Sequence, residues 1–160
     1  MAGPPLTLVV CGAPLAARAG EVCDALSTRW AVSTVVTDAA GKWFAGRSDP
    51  DRVRPEAVVV CPLTFNTANK VAGGIMDTSA AGVLCEALGA RLKIVAVPMV
   101  NNLLWGHPAW LSTLRTLVRG GIRFVDPQSG RVGDPEPVQS GTGPEVVADF
   151  DPAWVVGALS

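Results

Sequence analysis

Apolar residues fall along the chain in short, mostly β-branched runs, separated by stretches with a helical period. The runs are residues 6–11 (LTLVVC), 31–37 (AVSTVVT), 57–62 (AVVVCP), 92–97 (LKIVAV) and 122–126 (IRFVD). Near-continuous runs of this kind fit strands buried on both faces of a parallel sheet. Residues 14–28 (PLAARAGEVCDALST) put Leu15, Ala19, Val22 and Leu26 on one helical face, with Pro14 tolerated in the first turn. Residues 66–90 read as helical material broken at Gly73-Gly74 and at Gly82. Residues 108–119 (PAWLSTLRTLVR) predict a helix with Pro108 near its start and Gly120-Gly121 at its stop. The alternation predicts one α/β domain: a doubly wound parallel sheet of Rossmann or flavodoxin type with right-handed crossovers.

The character changes at Asp126. Residues 126–151 (DPQSGRVGDPEPVQSGTGPEVVADFD) are rich in Gly, Pro, Ser and acids. They read as a long loop, followed by a short helix over 152–159 with Asp151 as N-cap and Pro152 in the first position. The domain therefore divides into an α/β body over 1–126 and a C-terminal loop and helix over 127–160. A loop of this length is either a functional flap or a disordered tail, and both readings stand.

Composition narrows the function. The chain has 160 residues, 49% hydrophobic and 17% charged, with a net charge of −1. No basic tract marks a nucleic-acid or anionic membrane surface, and the apolar runs are too short to span a bilayer. The low charge suits a surface buried against copies of the same chain. The opening MAGPPLTLVV lacks the pattern of a secretion signal, so a cytoplasmic protein is expected. The four cysteines, Cys11, Cys23, Cys61 and Cys85, form no CxxC pair and read as buried hydrophobes, and no metal site is expected.

In open α/β sheets, ligands bind beyond the carboxyl ends of the strands. That rule brings together Gly12-Ala13-Pro14, Thr37 to Ala40, Pro62 to Asn69 and Pro98 to Trp105. The first turn can present backbone N–H groups to an anion, or be a plain strand-to-helix turn. Thr37 adds a hydroxyl to the same anion or caps a helix. Asn66 and Asn101 reach one cleft from neighbouring strand ends, as recognition groups or as turn-formers.

Four motifs in this order carry a resemblance. CPLTFNTANKVAGGIMD places Pro62, Thr64, Asn66 and Thr67, and then Gly74-Ile75-Met76-Asp77, in the pattern Pro-Ala-Ser/Thr-Ala-Asn-Thr followed by a Gly-Ile-x-Asp step. PMVNNLLW, residues 98–105, is similar to Pro-Ala-Met-Asn-x-x-Met-Trp. VVCGAPLAAR resembles a Gly-Ser-Ile-Ala-Ala turn, and VVTDAAGKWF a Thr-Glu-Ala-Ala stretch ending in Phe. Across residues 6–126 the chain resembles the flavin-dependent cysteine decarboxylases, the family of phosphopantothenoylcysteine decarboxylase and the lantibiotic decarboxylases. The resemblance implies a homo-oligomer, a trimer or a dodecamer of trimers, binding FMN at a subunit interface. It implies that Gly12, Ala13 and Thr37 hold the FMN phosphate and that Pro62, Thr64, Asn66 and Thr67 cradle the flavin. Asn66 and Asn101 become the catalytic pair, Met99, Asn101 and Trp105 line the substrate site, and Arg131 opens a substrate clamp. The implied reaction oxidises a cysteine-derived carboxylate, a small molecule or a peptide C-terminus, with loss of CO2.

Three positions depart from that pattern. The stretch GKWFAGRSDPDRVRPE lacks the histidine the family uses as base; His107 is the only histidine, and Asp49 and Asp51 are the acids nearby. No cysteine follows Cys85, which suits a reaction that stops at an enethiol. Ala13 stands where the family has serine. These departures support an alternative: a catalytically diverged flavin-binding protein, whether another oxidoreductase, a flavin carrier or a regulatory subunit. A plain α/β domain that has lost the flavin is the third reading.

Overall fold

The computed structural model describes residues 3–160; Met1 and Ala2, the start of the stretch read for a secretion signal, lie outside them. The sheet comprises β1 (Pro5–Val10), β2 (Ala31–Val36), β3 (Ala57–Leu63), β4 (Lys93–Pro98) and β5 (Ile122–Phe124). Its order is β2-β1-β3-β4-β5, with every neighbouring pair parallel. This is the flavodoxin order, and the direction of winding reverses between β1 and β3. The expected fold class is the one observed.

Strand alternation divides the core in two. Leu6, Leu8 and Val10 of β1, with Val59 of β3 and Val95 and Val97 of β4, face one side. There they meet Ala19, Val22 and Leu26 of α1 (Ala19–Leu26). Val9, Cys11, Val58, Val60, Ile94 and Phe124 face the other side. They are covered by α2 (Phe65–Ala72), α3 (Ser79–Gly89) and, after the short α4 (Asn102–Trp105), α5 (Trp110–Arg119). Both faces are closed, which is why the strands read as continuous apolar runs.

The β2 edge is closed by polar groups. Along β2, the Asp49 carboxylate accepts from the Thr34 N–H at 2.7 Å, and the Asp49 N–H donates to the Thr34 carbonyl at 2.9 Å. The Ser48 hydroxyl accepts from the Val36 N–H at 2.8 Å. The segment before β3 is thus a brace that blunts an edge strand. Asp49, a candidate substitute base, is committed to it.

Residues 126–151 are an ordered part of the body. Asp126 is 4% exposed, and its carboxylate accepts from the N–H groups of Gln128, Ser129 and Glu136 and from the Ser129 hydroxyl. Those bonds fold the chain back on itself, with an antiparallel bridge between Val125 and Val132. A helix the sequence pattern does not announce, α6 (Gly143–Asp149), follows. The final helix, α7 (Ala153–Ala158), buries Val155 and Ala158 in the α1-side core. Asp151 accepts from the Ala153 N–H at 2.9 Å, the capping contact expected of it. Lys93 and Arg123 donate to carbonyls at the end of α7, the favourable place for cations.

Other expectations are corrected. The helix expected over 14–28 is a 3₁₀ helix, Pro14–Arg18, followed by α1, because the first turn must leave a strand end sharply. Gly82 does not break α3, which runs through it. No helix of the described residues is long and apolar enough to cross a membrane.

Replacing Asp126 with Ala leaves three backbone donors and one hydroxyl unpaired. It is expected to cost about 2–4 kcal/mol in urea unfolding and to speed hydrogen exchange at Ser129 and Glu136.

Candidate functional site

Two clefts open at the carboxyl ends of β1, β2, β3 and β4. One has a volume of about 680 Å³ and the other about 420 Å³, and they share Gly12, Thr64 and Asn66. They straddle the point between β1 and β3 where the winding reverses. The larger is polar: Thr37, Ser48, Thr64, Thr67 and Thr78 line it, with Asp38 and Asp77. The smaller is more apolar, lined by Ala13, Pro14, Phe65, Met99, Leu104 and Val138 together with Asn66, Asn101 and Gln139. Together they suit a ligand with a polar arm and a flat apolar body.

Gly12 and Thr37 make the join between turns. A Cβ on Gly12 would lie 2.4 Å from the Ala39 methyl and 2.8 Å from the Ala39 carbonyl oxygen, so only glycine allows this approach. The Thr37 N–H donates to the Val10 carbonyl at 3.0 Å, which fixes the residue beside the end of β1. Its side-chain oxygen is buried and has no hydrogen-bond partner among the described residues. A buried hydroxyl left unpaired costs stability unless a ligand completes it.

The segment after β3 supplies the floor. Thr64 caps α2, its hydroxyl accepting from the Thr67 N–H at 3.3 Å. Thr64 and Thr67 also hydrogen-bond the Cys11 thiol. Burial outweighs those bonds and raises the pKa of that thiol, as burial does for Cys61, so both stay protonated at neutral pH. Pro62 lies within buried β3, and its carbonyl accepts from the Cys11 N–H at 3.2 Å; it ties the strands and does not line either cleft. Asn66 stands exposed where the clefts meet, with its amide free of protein hydrogen bonds among the described residues.

The segment after β4 supplies a wall. Asn101 caps α4, its side-chain oxygen accepting from the Leu104 N–H at 2.9 Å, so its NH₂ is the group left for a ligand. Asn102 accepts from the Ser140 N–H at 2.8 Å, and its own N–H donates to the Val138 carbonyl at 3.0 Å. That seam holds residues 138–143 against the apolar cleft. Met99 lines the cleft, and its sulfur accepts from the Leu15 N–H at 3.4 Å.

Two expected site residues stand apart. Trp105 packs edge-on against buried Trp110 at 5.4 Å and does not line the cleft. Arg131 is exposed in the turn organised by Asp126, where its carbonyl accepts from the Asp126 N–H. His107 also lies outside the clefts; its ring nitrogen accepts from the Ala109 N–H at 3.0 Å, a capping role. The sequence reading placed Asp38, Phe65 and Leu104 in the converging segments without giving them a role, and missed Ser48, Thr78 and the 138–143 wall. The glycines of SGTG, residues 140–143, were the one signal pointing to that wall.

Neither cleft is lined by Lys, Arg or His. Lys70 is engaged with Asp77 at 2.9 Å. An anion here meets hydroxyls and backbone N–H groups, including those at the start of α3. Among the described residues no group of His, Cys, Asp and Glu is placed to hold a metal ion.

The family model described as Flavoprotein matches residues 47–143. The bifunctional coenzyme A biosynthesis protein CoaBC of Thermococcus kodakarensis is 32% identical over 75 residues, 47% of this chain and 18% of that protein. The chain therefore matches about a fifth of the length of that curated relative. The solved structure of the FMN-binding protein AtHal3 superposes with a TM-score of 0.69 at 20% identity, covering 91% of this chain and 93% of that one. The FMN-dependent cysteine decarboxylase SpaF superposes with a TM-score of 0.65 at 21% identity, covering 99% of each chain.

Thr37→Val removes the unpaired hydroxyl at constant shape. In the ligand-free protein it is expected to be neutral or to stabilise by about 1 kcal/mol in urea unfolding; a clear loss of stability would show that the hydroxyl is satisfied by the protein.

Proposed function

The chain belongs to the Flavoprotein family, and on that premise we propose that it binds FMN across the two joined clefts and oxidatively decarboxylates a cysteine-derived carboxylate. The observation that carries the reading is the buried, unpartnered Thr37 hydroxyl beside Gly12, in a polar cleft continuous with a more apolar one. Thr37 and the turn at Gly12-Ala13 take the phosphate, with Thr64 and Thr67 beside it. Phe65, Met99 and Leu104 take the ring system. With FMN bound, the chemistry supplied is two-electron oxidation of the substrate's thiol-bearing carbon to a thioaldehyde, two electrons and two protons passing to the flavin. The bond to the carboxylate then breaks, CO2 leaves, and the electron pair forms the double bond of an enethiolate.

The chain's own groups orient this substrate. Asn66 offers both a donor and an acceptor at the junction of the clefts. Asn101 offers its NH₂ to the substrate carboxylate while its oxygen stays on the helix cap. Ala13 is 6% exposed and brings no hydroxyl, so phosphate binding leans on backbone N–H groups and Thr37. Exposed Leu104 in the apolar cleft and exposed Leu103 next to it on α4 support a homo-oligomer, trimeric or larger, in a reducing cytoplasm where four free thiols persist.

A second reading rests on one feature: no side chain lining the apolar cleft titrates. The protein is then a flavin-binding chain of other or no catalysis, or a subunit whose partner supplies the base.

The absorbance of the purified protein decides first between flavin binding and its loss. FMN is expected in the acid supernatant, and Thr37→Val is expected to weaken FMN binding by roughly tenfold, the loss of one hydrogen bond to a charged group. A peptide ending in cysteine is then expected to lose one CO2 and two hydrogens by mass spectrometry. Flavin uptake without that mass change under any substrate favours the second reading.

A further inference from the structure

A third cavity lies at the opposite end of the sheet. It has a volume of about 580 Å³ and sits under the segment Arg52–Pro55, above the amino ends of β1 and β3. The carboxyl-terminal half of α3 forms one side through Val83, Glu86, Ala87 and Ala90, and Leu92 closes the floor. The small side chains of Ala87 and Ala90 leave the space open. Thr7 of β1 points into it, on the same strand face as Val9 and Cys11. Thr7 is 1% exposed and lines the cavity. A hydroxyl on the cavity wall can pair with a polar group of a ligand.

The rim is charged. Arg54 forms no ion pair among the described residues, and Arg52 donates to the Asp49 carbonyl at 2.9 Å. Glu86 stands on the same rim, also outside any ion pair among the described residues, leaving one net positive charge there. Val53, between the two arginines, is 65% exposed at the mouth. Guanidinium groups match carboxylates bidentately, and the apolar wall of Val83, Ala87 and Leu92 suits a ring or a short chain.

We propose that this cavity is a second ligand site, for a small carboxylic acid with an apolar or aromatic body and a polar group at its far end. The carboxylate meets Arg54 and Arg52, the body lies on α3, and the far polar group meets the Thr7 hydroxyl. The site is separate from the clefts at the carboxyl ends of the strands and shares no lining residue with them. It does not rest on the flavin reading.

The test titrates 4-hydroxyphenylacetate into the full chain by calorimetry, with NMR shifts of the amides of Thr7 and Ala87 as a second readout. Saturable binding with shifts at both positions is expected. Arg54→Glu should weaken it by roughly tenfold or more. Thr7→Val, an isosteric change, should weaken 4-hydroxyphenylacetate but leave 4-methylphenylacetate unchanged. No saturable binding overturns the proposal. So does binding that both variants leave intact, since the probe then sits elsewhere.

Discussion

The α-carbon of Gly12 lies so close to the backbone of Ala39 that a methyl group at position 12 would stand 2.8 Å from the Ala39 carbonyl oxygen, nearer than any side chain tolerates. The arrangement of the clefts depends on that contact. The backbone bond from Thr37 to Val10 holds the start of the second turn, and the missing Cβ of Gly12 lets the rest of it close over the first. The Thr37 hydroxyl is thereby buried without a protein partner among the described residues. Parallel pairing of β1 with both β2 and β3 keeps these turns at one end of the sheet. A side chain at position 12 would part the turns, and an overpacked contact of this kind typically costs about 1–3 kcal/mol.

The asparagines after β3 and β4 divide their labour in a way composition cannot reveal. Asn69 joins α2 to α5, donating to the Phe65 carbonyl and accepting from the Thr113 hydroxyl. Asn101 caps α4, and Asn102 pins the wall at Ser140. Asn66 alone has both ends of its amide free among the described residues. An amide near a turn serves structure or recognition equally well. The difference lies in whether a backbone donor happens to be within reach, and only the fold settles that.

The same reasoning explains what the sequence made legible. Strands buried on both faces announce themselves, so β1 to β4 fell close to their expected limits, while the strand order left no local trace. Gly82 looked like a breaker but sits inside α3, where flanking helix-formers and a buried face on Ala80, Ala81 and Leu84 outweigh the roughly 1 kcal/mol cost of one glycine. The loop after Asp126 left a flap and a disordered tail equally open, because its order comes from one buried carboxylate, a cue that composition conceals. Trp105 belonged to a motif yet packs on Trp110, because the motif records a spacing and not a direction.

The apolar cleft has groups that bind and orient, and none that titrates. That bears on which proton transfers the proposed chemistry can support. Oxidation of a thiol to a thioaldehyde moves two electrons and two protons to the acceptor, and the first of those protons leaves an acidic S–H group. Loss of CO2 then yields an enethiolate, whose sulfur carries the charge and takes its proton from water. Reduction onward to a saturated thiol would instead require delivery of a proton to carbon, which needs a placed acid. General acids and bases typically contribute about 10²–10⁴-fold. A chain with Asn66 and Asn101 but no acid in the apolar cleft is therefore better matched to a reaction that ends at the enethiol, and the lack of any cysteine after Cys85 follows the same logic.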